Sequence, residues 1–322
     1  MMPPASEGET LLALDLGGTK LLIGEVDSKG RILHSKRYPS GMLTQRQATE
    51  LMMASLDDYL KTSGLVGGKP AAMGVGLIGL VEANQGRWLM IDPGRKEEIR
   101  LAELLERRYG YPCRVENDVK AAALAEQRFG AGQGISDFIY LNIGTGIGAG
   151  IIAEGRLLRG WQNDSGEVGH MTVDYSGGTP CPCGRFGCAE ALASGGGMDR
   201  RLRLLGQRHP DSPLLNLAAH GFVSAEEIFT YAEADDPLAV KIAIDAADAA
   251  AELILNLVRV SNPERVVLGG GVAGSAWMRR ELPKRLKLPV MDSVRHGVVL
   301  SDLDPAAAGL IGAAAVGLGA QS

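Results

Sequence analysis

Thr10-Leu-Leu-Ala-Leu-Asp15-Leu-Gly-Gly-Thr19-Lys20-Leu-Leu-Ile-Gly-Glu-Val26 is an apolar run, a short polar turn and a second apolar run. The pattern predicts two strands joined by the turn Leu16 to Lys20, with Asp15 at the end of the first. Gly17 and Gly18 let backbone N–H groups approach an anion, and Thr19 and Lys20 add donors. A plain hairpin is the bland alternative, but a carboxylate, a threonine and a lysine at one turn favour phosphate. The spacing and the following strand exclude a Walker A loop. Outward from this stretch, Asp27-Ser-Lys-Gly30 has hairpin-turn chemistry and Arg31 to Tyr38 reads as a third strand, so the chain opens with a meander.

Helical spacing follows over Thr44 to Lys61, then a buried strand over Ala71 to Leu77, a helix over Leu101 to Tyr109 and a short strand over Cys113 to Glu116. Asn117 or Asp118 caps an alanine-rich helix to Arg128. Strands and helices in this order predict an α/β fold. The opening device then recurs, with Asp137 to Ile143 a strand, Gly144-Thr145-Gly146-Ile-Gly148 a turn and Ala149 to Ala153 a strand. This resembles a structural duplication of two halves. Helices are expected over Ala225 to Ala232 and Pro237 to Val260. Arg265 to Leu268 is a strand entering Gly269-Gly270-Gly271, followed by a helix to about Leu286. The final helix, Pro305 to Leu318, is apolar and small, as in a helix buried between other elements. Between Gly195 and Ser224 the periodicity is weak.

With 322 residues, two domains of roughly 150 residues are expected, drawn here at 1–118 plus 305–322 and at 119–304. Glycine, at 44 residues, is about twice its usual share, which signals tight turns or close backbone approach to a ligand. A net charge of -5 argues against a nucleic-acid partner. Neither a secretory leader nor a membrane-length apolar run is present, so a cytoplasmic enzyme is the expectation.

Three of the four cysteines and one of the five histidines sit close together, in Glu167-Val-Gly-His170 and Cys181-Pro-Cys183-Gly-Arg-Phe-Gly-Cys188-Ala-Glu190. His170, Cys181, Cys183 and Cys188 make a Cys₃His set for structural zinc. Cys181 and Cys183 are too close to bridge comfortably, and four protein ligands leave no open position for catalysis. Metal ligation does not explain Glu167 and Glu190. Glu116-Asn117-Asp118 is the second chemical candidate. An N-cap accounts for one of its residues, and a carboxylate at a helix N-terminus, held ionised by the macrodipole, suits acceptance of a hydroxyl proton. Gly269-Gly-Gly271-Val-Ala-Gly274 formally matches a dinucleotide fingerprint but lies 48 residues from the end of the chain, short of the βα units that such a domain requires.

Together these segments resemble the ROK family of sugar kinases and related repressors. Asp15 to Lys20 is similar to the family's first phosphate loop, Glu116-Asn-Asp118 to its catalytic segment, Gly144 to Gly148 to its second phosphate loop, and Gly269 to Gly271 to its adenosine-side loop. Glu167 to His170 and Cys181 to Glu190 are similar to its sugar and zinc signatures, and the correspondence spans nearly the whole chain in order. The resemblance implies a two-domain actin-like, ribonuclease-H-like fold closing over ATP and a hexose. Asp118 would be the base for a sugar hydroxyl, most often the 6-OH. Asn117, Glu167, His170 and Glu190 would bind the sugar, with Gly79 contributing backbone. Asp15 would help place Mg²⁺, with Gly17, Gly18, Thr19, Lys20, Gly144, Thr145, Gly146, Gly270 and Gly271 around the nucleotide. His170 would use one nitrogen for Zn²⁺ and the other for sugar. A homodimer is implied, with no nucleic-acid or membrane partner, since only nine residues precede the first strand and leave no room for the repressors' DNA-binding domain.

The chain departs from the family pattern at Gly76-Leu-Ile-Gly79-Leu-Val-Glu82, at Ile91-Asp-Pro-Gly-Arg95 and at Lys120. These positions flank the sugar end, so glucose is the first choice, with an amino or N-acetyl hexosamine, mannose or another hexose as alternatives, and a non-catalytic sugar-sensing protein is the competing class.

Overall fold

The computed structural model describes residues 9–92 and 94–319. In chain order the strands are β1 (Thr10–Leu16), β2 (Lys20–Asp27), β3 (Ile32–Pro39), β4 (Ala72–Leu77), β5 (Leu80–Glu82), β6 (Arg87–Asp92), β7 (Arg95–Ile99), β8 (Cys113–Asn117), β9 (Phe138–Ile143), β10 (Ile147–Ala153), β11 (Arg156–Leu157), β12 (Arg265–Gly269) and β13 (Val298–Leu300). The helices are α1 (Gln45–Thr62), α2 (Leu101–Tyr109), α3 (Asp118–Phe129), α4 (Ala189–Ala193), α5 (Gly195–Leu205), α6 (Leu214–His220), α7 (Ala225–Glu233), α8 (Pro237–Ser261), α9 (Ala276–Arg285) and α10 (Ala308–Leu318). They pack as two units, one of residues 1–134, 150–165 and 302–322, the other of 135–149 and 166–301. Among the described residues no helix is long and apolar enough to cross a membrane.

The first unit is built on a sheet ordered β3-β2-β1-β4-β8. β2 runs antiparallel to β1 and to β3, whereas β4 is parallel to β1 and to β8. Two-residue periodicity divides β1 between two cores: Leu12, Leu14 and Leu16 join Met52, Leu56 and Tyr59 of α1 and Leu101 and Leu105 of α2, while Leu11 and Ala13 join Leu310, Ala313 and Ala314 of α10. The expected burial of the last helix is therefore observed, although it starts at Ala308 rather than Pro305, after a turn in which the carbonyl of Asp304 accepts from Ala307 and Ala308. Small residues bring this helix against the sheet. A Cβ on Gly74 of β4 would lie 1.8 Å from the Ala313 carbonyl oxygen.

Local chemistry sets the element ends. Thr44 and Gln47 form a capping box at α1, and Asn117, rather than Asp118, caps α3, its Oδ1 accepting from Val119 N at 3.1 Å and Lys120 N at 3.2 Å. A second, antiparallel sheet, β5-β6-β7, fills the stretch in which the sequence showed no element. Of Ile91 to Arg95, Pro93 and the side chains of Asp92 and Arg95 lie outside the described residues.

The second unit carries β10, β9, β12 and β13 in that order, with β12 parallel to both β9 and β13. β10 continues past residue 149 into the first unit, where it pairs antiparallel with β11. Its long helix α8 starts with Asp236 as N-cap and Pro237 in the first turn, and ends on Asn262 in the left-handed region at φ 44°. Where the sequence signal was weak, α5 and α6 form.

Candidate functional site

Asp15 closes β1 at the first glycine turn, where Gly17 N donates to Lys20 O at 2.9 Å and Ser40 Oγ donates to Gly17 O at 3.1 Å. Gly18 and Thr19 are exposed, and a Cβ on Gly18 would meet nothing within 4 Å, so a ligand can reach the turn's backbone. Behind the carboxylate, Gly309 of α10 stands so close that a Cβ there would fall 2.1 Å from Asp15 Oδ2. Burial pushes the Asp15 carboxyl up to about 6, with Lys20 pulling in the opposite direction.

Asp118 is the first residue of α3 in the same unit, and its Oδ1 accepts from Val119 N at 2.9 Å. The helix end is not the only influence on this carboxylate. Burial and then the charge of Asp15 push Asp118 up to about 6, outweighing the backbone bonds that oppose the shift. A carboxyl in that range is still largely ionised at neutral pH and sits where a general base works best. The pair also suits a hard divalent cation, since two mutually repelling oxygen donors regain stability when one shared positive charge joins them.

Asn117 does more than cap. Its Nδ2 donates to Gly79 O at 3.1 Å while both acceptor positions of Oδ1 are taken by helix N–H groups, so it can offer a substrate one N–H. Gly79 is fixed by its left-handed φ of 84° and by the Met90 carbonyl oxygen 2.2 Å from where a Cβ would be. Its carbonyl is already engaged by Asn117, so its contribution here is to hold that amide.

In the second unit the structure gathers the other predicted residues around the second glycine turn. Gly144 and Thr145 turn their carbonyls onto the start of α5, accepting from Gly195 N at 2.8 Å and Gly196 N at 3.0 Å. Glu190 of α4 accepts from Ile147 N at 3.0 Å through Oε2, and Gly146 leaves just enough room for that carboxylate. Gly169, beside His170, packs against Ile147 O and Glu190 Cβ. Gly270, at φ 87°, crosses Ile143 O so closely that a Cβ would lie 2.4 Å away, and Val272 N and Ala273 N donate to the same oxygen at 3.0 and 3.2 Å. Gly271 and Glu167 are exposed.

The expected metal set is assembled. The ligand atoms of His170, Cys181, Cys183 and Cys188 all lie within 4.8 Å of one another, with Cys181 Sγ 3.6 Å from His170 Nδ1 and Cys183 Sγ 3.6 Å from Cys188 Sγ. Tetrahedral zinc with ordinary bond lengths requires edges of about 3.5–3.8 Å, so the donors fit zinc and His170 presents Nδ1 to it. The backbone N–H of Arg185 holds the Cys183 thiol down at about 6, and burial pushes Cys188 up to about 12. Gly187 is required at the turn, since a Cβ would meet Asp174 O at 1.7 Å.

Sequence reading missed Gly309 behind Asp15, Gly195 and Gly196 behind the second turn, and Asn142, whose amide lies beside both Gly144 and Gly270. No local periodicity marks them, because each acts through residues distant in the chain.

The ROK family model matches residues 11–319. The chain is 33% identical over 270 residues to a glucokinase of Halalkalibacterium halodurans, covering 81% of this chain and 80% of that protein. It is 31% identical to an N-acetylmannosamine kinase of Citrobacter koseri, covering 81% and 83%, and 30% identical to a putative xylose repressor of Caldicellulosiruptor, covering 80% and 65%. The solved ROK family glucokinase of Streptomyces griseus, in complex with glucose and AMPPNP, superposes with a TM-score of 0.76 at 30% identity over 96% of this chain and 99% of that one. The glycine turns, the Glu116–Asp118 segment and the Cys₃His cluster of this chain lie in a mixed α/β fold, and the chain belongs to the ROK family.

Proposed function

We propose that this protein is an ATP-dependent hexose kinase that phosphorylates glucose at the 6-OH. The observation that carries the reading is Asp118, poised at about 6 on the first turn of α3 beside Asp15 and the first glycine turn. A sugar-responsive repressor has no use for a carboxyl tuned to remove a proton. In the reaction Asp118 accepts the proton of the sugar hydroxyl as that oxygen forms its bond to the γ-phosphorus of ATP, and the bond to the β,γ-bridging oxygen breaks. Asn117 fixes the hydroxyl with its remaining N–H. Glu167, Glu190 and the Nε2 of His170 bind further hydroxyls, while Lys20, Thr19, Thr145 and the backbone of both glycine turns hold phosphate oxygens. Gly270 and Gly271 lie on the adenosine side. Mg²⁺, when bound, neutralises the charge on the transferring phosphoryl group, and Asp15 is the side chain that places it. Zinc in the Cys₃His set orients His170 and stiffens the loop leading to Glu190.

Support for ATP and glucose comes from the identities to the glucokinase of H. halodurans and the S. griseus enzyme. The near-equal identity to an N-acetylmannosamine kinase makes that sugar the second reading. The family resemblance supports a cytoplasmic homodimer. A coupled ADP assay with Mg²⁺, ATP and a panel of glucose, mannose, glucosamine, N-acetylglucosamine and N-acetylmannosamine tests the proposal. Glucose is expected to give the highest kcat/KM, preference for N-acetylmannosamine transfers the reading to that sugar, and turnover on none of them refutes it.

A further inference from the structure

The loop of residues 158–165 belongs to the same unit as Asp118 and is tied to the catalytic segment twice. Arg159 Nε donates to Glu116 Oε2 at 2.8 Å, and Lys120 Nζ donates to the Asn163 carbonyl. Glu116 and Lys120 stand two residues before and after Asp118, and Arg159 and Asn163 stand two residues before and after Trp161. The two ties hold the loop that carries Trp161 against the segment that carries Asp118.

The loop is built to hold that place. Ser165 N donates to Arg159 O at 3.2 Å and Ser165 Oγ to Leu158 O at 2.7 Å, which closes the loop on itself. Gly160 and Asn163 take left-handed backbone at φ 74° and 62°, and Glu116, which anchors Arg159, is buried. Trp161 itself is 95% exposed, whereas Trp88 and Trp277 are 0% and 8% exposed. An indole offers roughly 150–250 Å² of rigid surface, large for a residue held in open solvent on a loop tied to the segment of Asp118.

We propose that Trp161 is a specificity residue whose indole stacks on the apolar C–H face of the hexopyranose that Asp118 deprotonates. The proposal rests on the kinase reading above. A pyranose ring has a polar rim and two faces of C–H groups, so polar groups such as Asn117 and Asp118 recognise the rim while a flat aromatic surface recognises a face. The same stacking discriminates against open-chain polyols, which present no such face.

Tryptophan emission reads the contact directly, because only Trp161 has a solvent-exposed indole among the three. The wild-type protein is titrated with D-glucose and with N-acetyl-D-mannosamine without nucleotide, and Trp161→Ala and Trp161→Phe are assayed for phosphorylation of both. A saturable blue shift is expected that Trp161→Ala abolishes, with KM for the sugar raised about tenfold, KM for ATP little moved, and Trp161→Phe largely restoring the sugar KM. Trp161→Ala with the wild-type sugar KM overturns the proposal and leaves the kinase reading standing. A Trp161-dependent sugar titration without turnover on any hexose supports stacking and overturns the kinase reading. Trp161→Ala that changes only the elution volume on size exclusion overturns the proposal in favour of a protein contact.

Discussion

Replacing Gly74 with alanine puts a methyl carbon 1.8 Å from the Ala313 carbonyl oxygen and 2.6 Å from Gly317 N. Both obstacles are backbone of α10, so no side-chain rotation relieves them, and contact at ordinary van der Waals distance requires the helix to move outward by more than 1 Å. Overpacking of a core costs about 1–3 kcal/mol, and a backbone-on-backbone clash belongs at the upper end. For a unit of this size that lowers the melting temperature by about 6–12 °C. The displacement also has a chemical reach, since α10 carries Gly309, whose Cα backs the Asp15 carboxylate. Gly74→Ala is therefore expected to lower kcat as well as Tm, while Gly18→Ala, with nothing within 4 Å of its new methyl, leaves Tm within about 1 °C. Differential scanning fluorimetry with the coupled kinase assay measures both. A Gly74→Ala protein that melts with the wild type refutes the packing argument, and one that melts early with wild-type kcat refutes the link from α10 to Asp15.

Asp118→Asn should lower kcat by about 10²–10⁴-fold, and a rate within threefold of wild type would remove Asp118 from the role of base. Because the folded carboxyls of Asp15 and Asp118 stand at about 6, above the ordinary 3.8, the folded state binds more protons than the unfolded chain between these values. Their contribution to stability should therefore grow as pH falls from about 7 towards 4, while kcat/KM falls below about pH 6; Asp15→Asn should flatten that part of the stability profile, and a flat wild-type profile would contradict the shifts. Metal analysis should find about one zinc per chain, and Cys183→Ser should lose the metal and raise the sugar KM; loss of zinc with an unchanged sugar KM would separate the knuckle from sugar binding. Glu190→Ala removes the acceptor for Ile147 N, so KM should rise for ATP as well as for sugar, and a rise confined to the sugar would deny the tie to the glycine turn.

The parts of the fold legible in the sequence were those whose determinants are local. Leu101–Tyr109 was read to the residue because a bounded apolar stripe ends on Gly110 in the left-handed region, and the β1–β2 hairpin followed from two apolar runs around two glycines. The Cys₃His set was legible because ligand type and spacing are written in one stretch. The segment β5-β6-β7 was not, since Arg95-Lys-Glu-Glu-Ile99 carries charges where a strand is usually apolar and takes its form from pairing with β6. α5 starts with Gly195-Gly-Gly197, the poorest of ordinary helix openings. It forms because Gly195 and Gly196 donate to the second glycine turn and Gly197 lies so near Glu190 O that a side chain would not fit. The desolvation that raises the Asp118 carboxyl to about 6 was equally hidden, because it comes from residues that only the fold brings together.

The first unit is discontinuous, and this orders events during synthesis. The helix that covers Leu11, Ala13, Val26 and Ala72 is made about 180 residues after α3 is complete. At about 5–20 residues per second the ribosome takes on the order of 10–40 s over that interval. Throughout it, that face of the central sheet lacks α10 and has only the edge of α3 against it, and the whole of the second unit emerges meanwhile. The nascent chain therefore passes through a stage in which the later half is able to finish folding before the earlier half, and chaperone engagement is expected at that sheet face until Leu318 leaves the exit tunnel.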